Sequence, residues 1–124
     1  MASELATSAT PEKTAFTRVL AMILDDDRQR LVVAQDGARL VGYLYGLVHP
    51  AFHANGNIGW MEELFVDSDQ RGTGLGRALV ADFEVWARAV ADAQYVAVAT
   101  RRADAFYEAI DYSRSATYFK KSFG

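Results

Sequence analysis

Residues Trp60 to Val90 read WMEELFVDSDQRGTGLGRALVADFEVWARAV, and three patterns follow one another within them. First comes an apolar run, Leu64 to Val66, preceded by Glu62 and Glu63. A loop containing Arg71, Gly72, Gly74 and Gly76 follows. Leu75, Leu79, Phe83, Trp86 and Val90 then recur at helical spacing on one stripe, with Arg77, Asp82, Glu84 and Arg88 off it. The stretch therefore predicts a strand, a glycine loop and a helix. Glycine permits positive φ and close approach of a ligand, and the first turn of a helix aims unpaired N–H groups at negative charge. A phosphate-bearing ligand is the natural guest.

Downstream, Tyr95 to Ala99 is apolar at every position, the pattern of a parallel strand buried on both sides. Ala103, Phe106, Tyr107 and Ile110 mark a short helix. Ser113 to Phe119 is expected to be a last strand, with Lys120 and Lys121 on the solvated end. Upstream, Arg30 to Gln35 and Arg39 to Val48 are strands joined by the hairpin signal Asp36-Gly37. The second is apolar on both faces, so it is central or covered, and Gly42 and Gly46 mark close approach by another element. His49, Pro50, Phe52 and His53 fall in a loop before the turn Asn55-Gly56-Asn57, and Ile58 to Val66 is the third strand. The first helix starts near Thr10-Pro11-Glu12, has Phe16, Leu20, Ile23 and Leu24 at helical spacing, and stops at the solvated acidic turn Asp25 to Asp27.

The order of elements predicts an α/β fold with a mixed sheet. A chain of 124 residues makes one domain, 1–124, of which 1–9 are small and polar enough to fray. A net charge of -3 argues against broad nucleic-acid binding, which needs a basic field. The absence of cysteine excludes disulfides, thiolate nucleophiles and Cys-ligated metals. Pro50 between His49 and His53 opposes the helix that would make the two histidines a ligand pair, so no metal is expected. No apolar run reaches the roughly 20 residues of a membrane span, and no leader pattern opens the chain, so the expected location is cytoplasmic with no membrane partner.

Two common phosphate motifs fail here. A dinucleotide fingerprint beginning at Gly72 requires glycine where Arg77 stands, and a Walker loop requires lysine after its last glycine. What remains is Arg71-x-x-Gly74-x-Gly76 in QRGTGLGRAL after a strand ending LFV. This resembles the acetyl-CoA motif of the GCN5-related N-acetyltransferases, the GNAT superfamily. Ala103, Phe106, Tyr107, Glu108 and Tyr112 stand where that superfamily has the short helix A-x-x-F-Y-E-x-x-G-F/Y. Thr100 replaces its usual asparagine. Asp111 replaces its usual glycine, and aspartate is among the few residues that tolerate the left-handed conformation required there.

The resemblance implies a sheet whose parallel strands, about 58–66 and 95–99, splay apart to admit pantetheine. It implies acetyl-CoA as co-substrate, its pyrophosphate on Arg71, Gly72, Thr73, Gly74, Leu75, Gly76 and Arg77. Leu64, Phe65 and Val66 would contact the pantetheine arm, while Thr100, Ala103 and Phe106 complete the cofactor site. Tyr107 is implied as the acid returning a proton to the departing thiolate, a task suited to a phenol of ordinary pKa ~10. Glu62 and Glu63 are candidates for the base and for binding substrate charge. Strand alternation assigns them to opposite faces, with Glu62 on the face of Leu64 and Val66. Phe52 and His53 are candidates for contacting a small-molecule amine.

Superfamily members usually begin with a strand and a first helix, whereas this chain matches from about residue 12, N-terminally shortened. Arg30 to Gln35 is then an exposed edge, and a homodimer is expected to cover it. The expected activity is transfer of acetyl to a primary amine. Two other readings stay open: a non-catalytic CoA-binding or interaction module of the same fold, and a nucleotide-binding domain of another fold.

Overall fold

The structure is a computed structural model describing residues 13–124. Its elements are α1 (Lys13–Leu24), β1 (Gln29–Asp36), β2 (Arg39–Ala51), β3 (Gly56–Val66), α2 (Leu75–Ala89), β4 (Ala93–Val98) and α3 (Asp104–Ala109). The strands form one sheet in the order β1-β2-β3-β4. β1, β2 and β3 are antiparallel neighbours, while β3 and β4 run parallel. The expected start of the first helix at Thr10 to Glu12 lies outside the described residues.

The hairpin from β1 to β2 turns at Gly37, whose φ of 64° is the left-handed value that favours glycine. β2 is central, with Val41, Tyr43, Leu44 and Val48 all buried. It also runs further than its sequence suggests. His49, Pro50 and Ala51 remain in the strand, and only Phe52–Ala54 form a short 3-10 turn. The pairing of Pro50 with Asn57 and of Ala51 with Gly56 carries the hairpin past the proline.

α2 packs on β2, β3 and β4. Leu79, Val80, Phe83 and Ala87 are buried beneath it with Leu44, Val48 and Met61. The predicted stripe holds as far as Trp86, but Val90 lies past the helix end and is exposed. The two glycines of β2 are where this helix comes closest. A Cβ at Gly46 would sit 2.3 Å from Phe83 Cε1, and one at Gly42 would sit 3.2 Å from Leu75 Cδ2. A fork of two hydrogen bonds, 3.0 and 3.1 Å, from Arg30 to Asp82 ties β1 to the same helix.

Three expectations need correction. The acidic turn is not wholly solvated, because Asp26 is partly buried and accepts from the Arg28 backbone N–H at 2.9 Å and Gln29 Nε2 at 3.0 Å. Those bonds, Gln29 first, lower its carboxyl to about 2. β4 is not buried on both sides either: none of Tyr95 to Ala99 is fully buried, and Tyr95 and Ala99 are exposed. An all-apolar run marks a strand but does not guarantee a cover over each of its faces. Ser113 to Phe119 forms no strand, and residues 113–124 have no regular structure. Alternation permits a strand, but only a paired edge makes one, and this segment pairs with none of the described strands.

α3 ends on Asp111, at φ 75°, with the Tyr112 N–H donating to the Tyr107 carbonyl at 2.9 Å. This six-to-one bond is the helix stop that glycine usually supplies. Asp111→Gly should therefore stabilise the protein by about 0.5–1 kcal/mol, read as a higher urea midpoint at unchanged slope.

Candidate functional site

The loop after β3 is shaped by its own turns. Asp67 starts the short 3-10 turn Ser68–Gln70, and the N–H groups of Arg71 and Thr73 donate back to the Ser68 and Gln70 carbonyls. Gly72 and Gly74 then take φ of 82° and 87°, and Gly74 caps α2 with no side-chain bond. The N–H groups of Gly72, Gly74, Leu75, Gly76 and Arg77 find no acceptor among the described residues. The N–H cradle is thus shifted from the expected set, since Arg71 and Thr73 spend theirs on the turns. Five donors at the positive end of a helix can hold a diphosphate. The Arg71 and Arg77 side chains flank them, exposed and without a carboxylate partner among the described residues.

Pairing between β3 and β4 stops at Met61 and Val98, yet β3 continues to Val66. Residues 62–66 pair with β2 on one side only, leaving about 16 Å of open strand edge that leads to the loop. Leu64, Phe65 and Val66 lie on that edge. α3 closes the same end. A Cβ on Gly76 would meet Phe106 Cζ at 3.4 Å and Val66 Cγ2 at 3.6 Å, so strand end, loop and α3 converge there. Thr100 Oγ1 accepts from the Ala103 N–H at 3.0 Å, which makes Thr100 a brace for the turn into α3.

Tyr107 packs into the core cluster beneath α2 with 7% of its surface exposed, its ring 5.0 Å from that of Phe106 and 5.6 Å from that of Tyr112. Its hydroxyl makes no hydrogen bond among the described residues. None of their buried side-chain oxygens is both sealed and unpartnered, so the tip of Tyr107 reaches solvent. Burial raises its pKa and keeps the phenol protonated.

Glu62 and Glu63 are not divided between the faces. A β-bulge separates the pairs Tyr45 with Glu63 and Gly46 with Met61, and Glu62 is the extra residue. Met61, Leu64 and Val66 point to α2, whereas both glutamates lie on the other side of the sheet. There Trp60 Nε1 donates to Glu62 Oε2 at 2.6 Å, and the Tyr43 hydroxyl donates to Glu63 Oε1 at 2.7 Å. Glu62 therefore does not share a face with Leu64 and Val66. Tyr45 stands beside the pair, its pKa raised first by burial and then by the charges of Glu62, Glu63 and Asp26. Its hydroxyl bonds Gln29, which in turn bonds Asp26.

Phe52 and His53 lie at the other end of β3, about 20 Å of strand from Glu62. Phe52 is fully exposed, and His53 Nε2 meets the Tyr95 hydroxyl at 2.7 Å. The fold does not bring these two residues to the glutamates. Trp60 and Tyr43, by contrast, touch them and were not singled out in the sequence. For Trp60 the signal was available, because residues two apart share a strand face. For Tyr43 it required the register.

The tyrosines also set an alkaline limit on stability. Burial raises Tyr43, Tyr107 and Tyr112, helped by Glu63 at Tyr43 and by Glu84 at Tyr112. Below pH ~10 all three are protonated, folded or unfolded. Above it the unfolded chain releases these protons first, so stability falls as pH rises. The urea midpoint should decline from about pH 10, and less steeply in Tyr112→Phe.

Comparison with known proteins bears on the family and the fold. The family model described as acetyltransferase (GNAT) family matches residues 2–112. No curated protein matches the sequence. Among solved structures, glucosamine-6-phosphate N-acetyltransferase from Arabidopsis thaliana superposes with a TM-score of 0.83 at 21% identity, covering 97% of this chain and 84% of that one. A transcriptional regulator from Bacillus halodurans gives 0.82 at 23%, covering 89% and 76%. An aminoglycoside 6'-N-acetyltransferase from Acinetobacter haemolyticus gives 0.74 at 16%, covering 94% and 86%. These identities speak for the fold. Because the family model matches most of this chain, the chain belongs to the acetyltransferase (GNAT) family and is an acetyl-CoA-dependent N-acetyltransferase.

Proposed function

We propose that the chain acetylates a primary amine of a small molecule. The observation that carries this reading is the pair Glu62 and Glu63, together on one side of β3 where β4 leaves it. Two carboxylates with Asp26 nearby favour a cationic acceptor over an anionic one. Acetyl-CoA lies along the open edge of Leu64 to Val66, its diphosphate on the free N–H groups from Gly72 to Arg77. Arg71, Thr73, Thr100, Ala103 and Phe106 frame that site.

Glu62, through a water, accepts the amine proton as nitrogen attacks the thioester carbonyl. The C–S bond breaks, and the thiolate takes the proton of Tyr107. An amide and free CoA result, and the proton held by Glu62 returns to the phenolate through solvent. Glu63 binds substrate charge. Most of the acceleration comes from alignment of amine and thioester, worth several kcal/mol in favourable cases.

A thiol-release screen with acetyl-CoA against spermidine, lysine, kanamycin and glycyl peptides tests the reading. Turnover of at least one small amine is expected. Release with peptides alone would move the acceptor to protein amines, and acetyl-CoA binding with no release would favour a non-catalytic module. A second copy covers the outer edge of β1, where Val33 is exposed and no described strand pairs. Light scattering at micromolar concentration that returns a monomer would contradict this.

A further inference from the structure

The segment after α3 belongs to no helix or strand, yet it is fixed at two points. Arg114 Nη2 lies 2.7 Å from Asp104 Oδ2 and 3.9 Å from Glu108 Oε1, both on α3, the helix that carries Tyr107. Four residues on, the Tyr118 ring stacks on Trp60 with centroids 6.5 Å apart and planes at 25°. Trp60 is the residue whose indole N–H holds Glu62. Between Arg114 and Tyr118 an extended chain reaches about 13 Å. The arm thus bridges the helix of the acid and the strand of the base, and no backbone hydrogen bond to the described sheet holds it there.

We infer that Trp60 and Tyr118 are positioning residues: the stack of the arm on the indole fixes the ring, and the ring fixes the Glu62 carboxylate towards the amine. This rests on Glu62 being the base. An exposed glutamate samples several rotamers, and only some of them face the open edge. A hydrogen bond to a carboxylate from a ring that is itself clamped removes that freedom. Tyr118 remains 64% exposed even when stacked, so the arm contributes little to the core. Removing its ring should leave the fold standing while loosening the carboxylate.

The test is a double-mutant cycle in kcat, using acetyl-CoA and whichever of the four screened amines has the highest kcat/KM. Tyr118→Ala should lower kcat about fivefold without changing acetyl-CoA affinity. Tyr118→Phe keeps the stacked ring and should hold kcat within about twofold. Trp60→Phe, which keeps a ring but loses the donor, should lower kcat at least as much as Tyr118→Ala. In a Glu62→Gln background Tyr118→Ala should have no further effect, because its influence passes through that carboxylate. Multiplicative losses in the double variant, or a wild-type kcat in Tyr118→Ala while Glu62→Gln is slow, would overturn the inference and leave the base assignment intact. Glu62→Gln at wild-type rate would overturn the base assignment itself, and the inference with it.

Discussion

Gly46→Ala should destabilise the protein by about 3 kcal/mol, the upper end of what overpacking costs. The new methyl would lie 2.3 Å from Phe83 Cε1, 2.6 Å from Phe83 Cζ and 2.9 Å from the Trp60 carbonyl. Neither neighbour can give way easily. Phe83 is fully buried, and Trp60 is held in the sheet by pairing on both flanks. The double variant Gly46→Ala with Phe83→Leu exchanges the ring for a shorter branched chain. Its loss should be smaller than the sum of the two single losses by about 1 kcal/mol or more, measured by urea denaturation at constant slope. Additive losses would mean that the helix does not lie on this glycine. The site would feel the change too, because the bulge that brings Glu62 and Glu63 together begins at the Tyr45–Gly46 step.

Tyr107→Phe should lower kcat by ~10²-fold, the usual worth of a positioned proton donor, while acetyl-CoA binding survives. The structure makes this substitution unusually clean. The hydroxyl has no hydrogen-bond partner among the described residues, whereas the ring packs against Phe106 and Tyr112. Its removal therefore leaves no partner unsatisfied, and stability should change by less than about 0.5 kcal/mol. A purely structural tyrosine would give the opposite result, with normal turnover. The two measurements on one variant separate a packing role from a chemical one.

Much of this was legible in the sequence for identifiable reasons. The glycine loop, the α2 stripe as far as Trp86 and the hairpin at Asp36-Gly37 are local patterns, read from residues within a turn or two of each other, and all appear in the fold. Asp111 in the left-handed region follows from the same local chemistry. What did not come through depends on partners distant in the chain. The bulge at Glu62 exists only in the register between β2 and β3, so alternation alone put the two glutamates on opposite faces. The edge position of β4 and the unpaired state of residues 113–124 depend on which strands find neighbours. An apolar run says nothing about that. Phe52 and His53 lie near Glu62 in the sequence, but an extended strand separates them from it in space.

The central claim is that the loop after β3 binds acetyl-CoA through its unpaired backbone N–H groups, and thermal unfolding tests it most directly. At an acetyl-CoA concentration a hundredfold above Kd, binding to the folded state adds about 2.7 kcal/mol. For a chain of this size that raises Tm by about 8 °C or more. Gly74→Val places a β-branched side chain at φ 87° in the centre of the donor array, and should abolish the ligand-induced shift. A clear shift for the wild type that is lost in Gly74→Val is the predicted result. No shift for the wild type at millimolar acetyl-CoA, or an equal shift in both proteins, would contradict it.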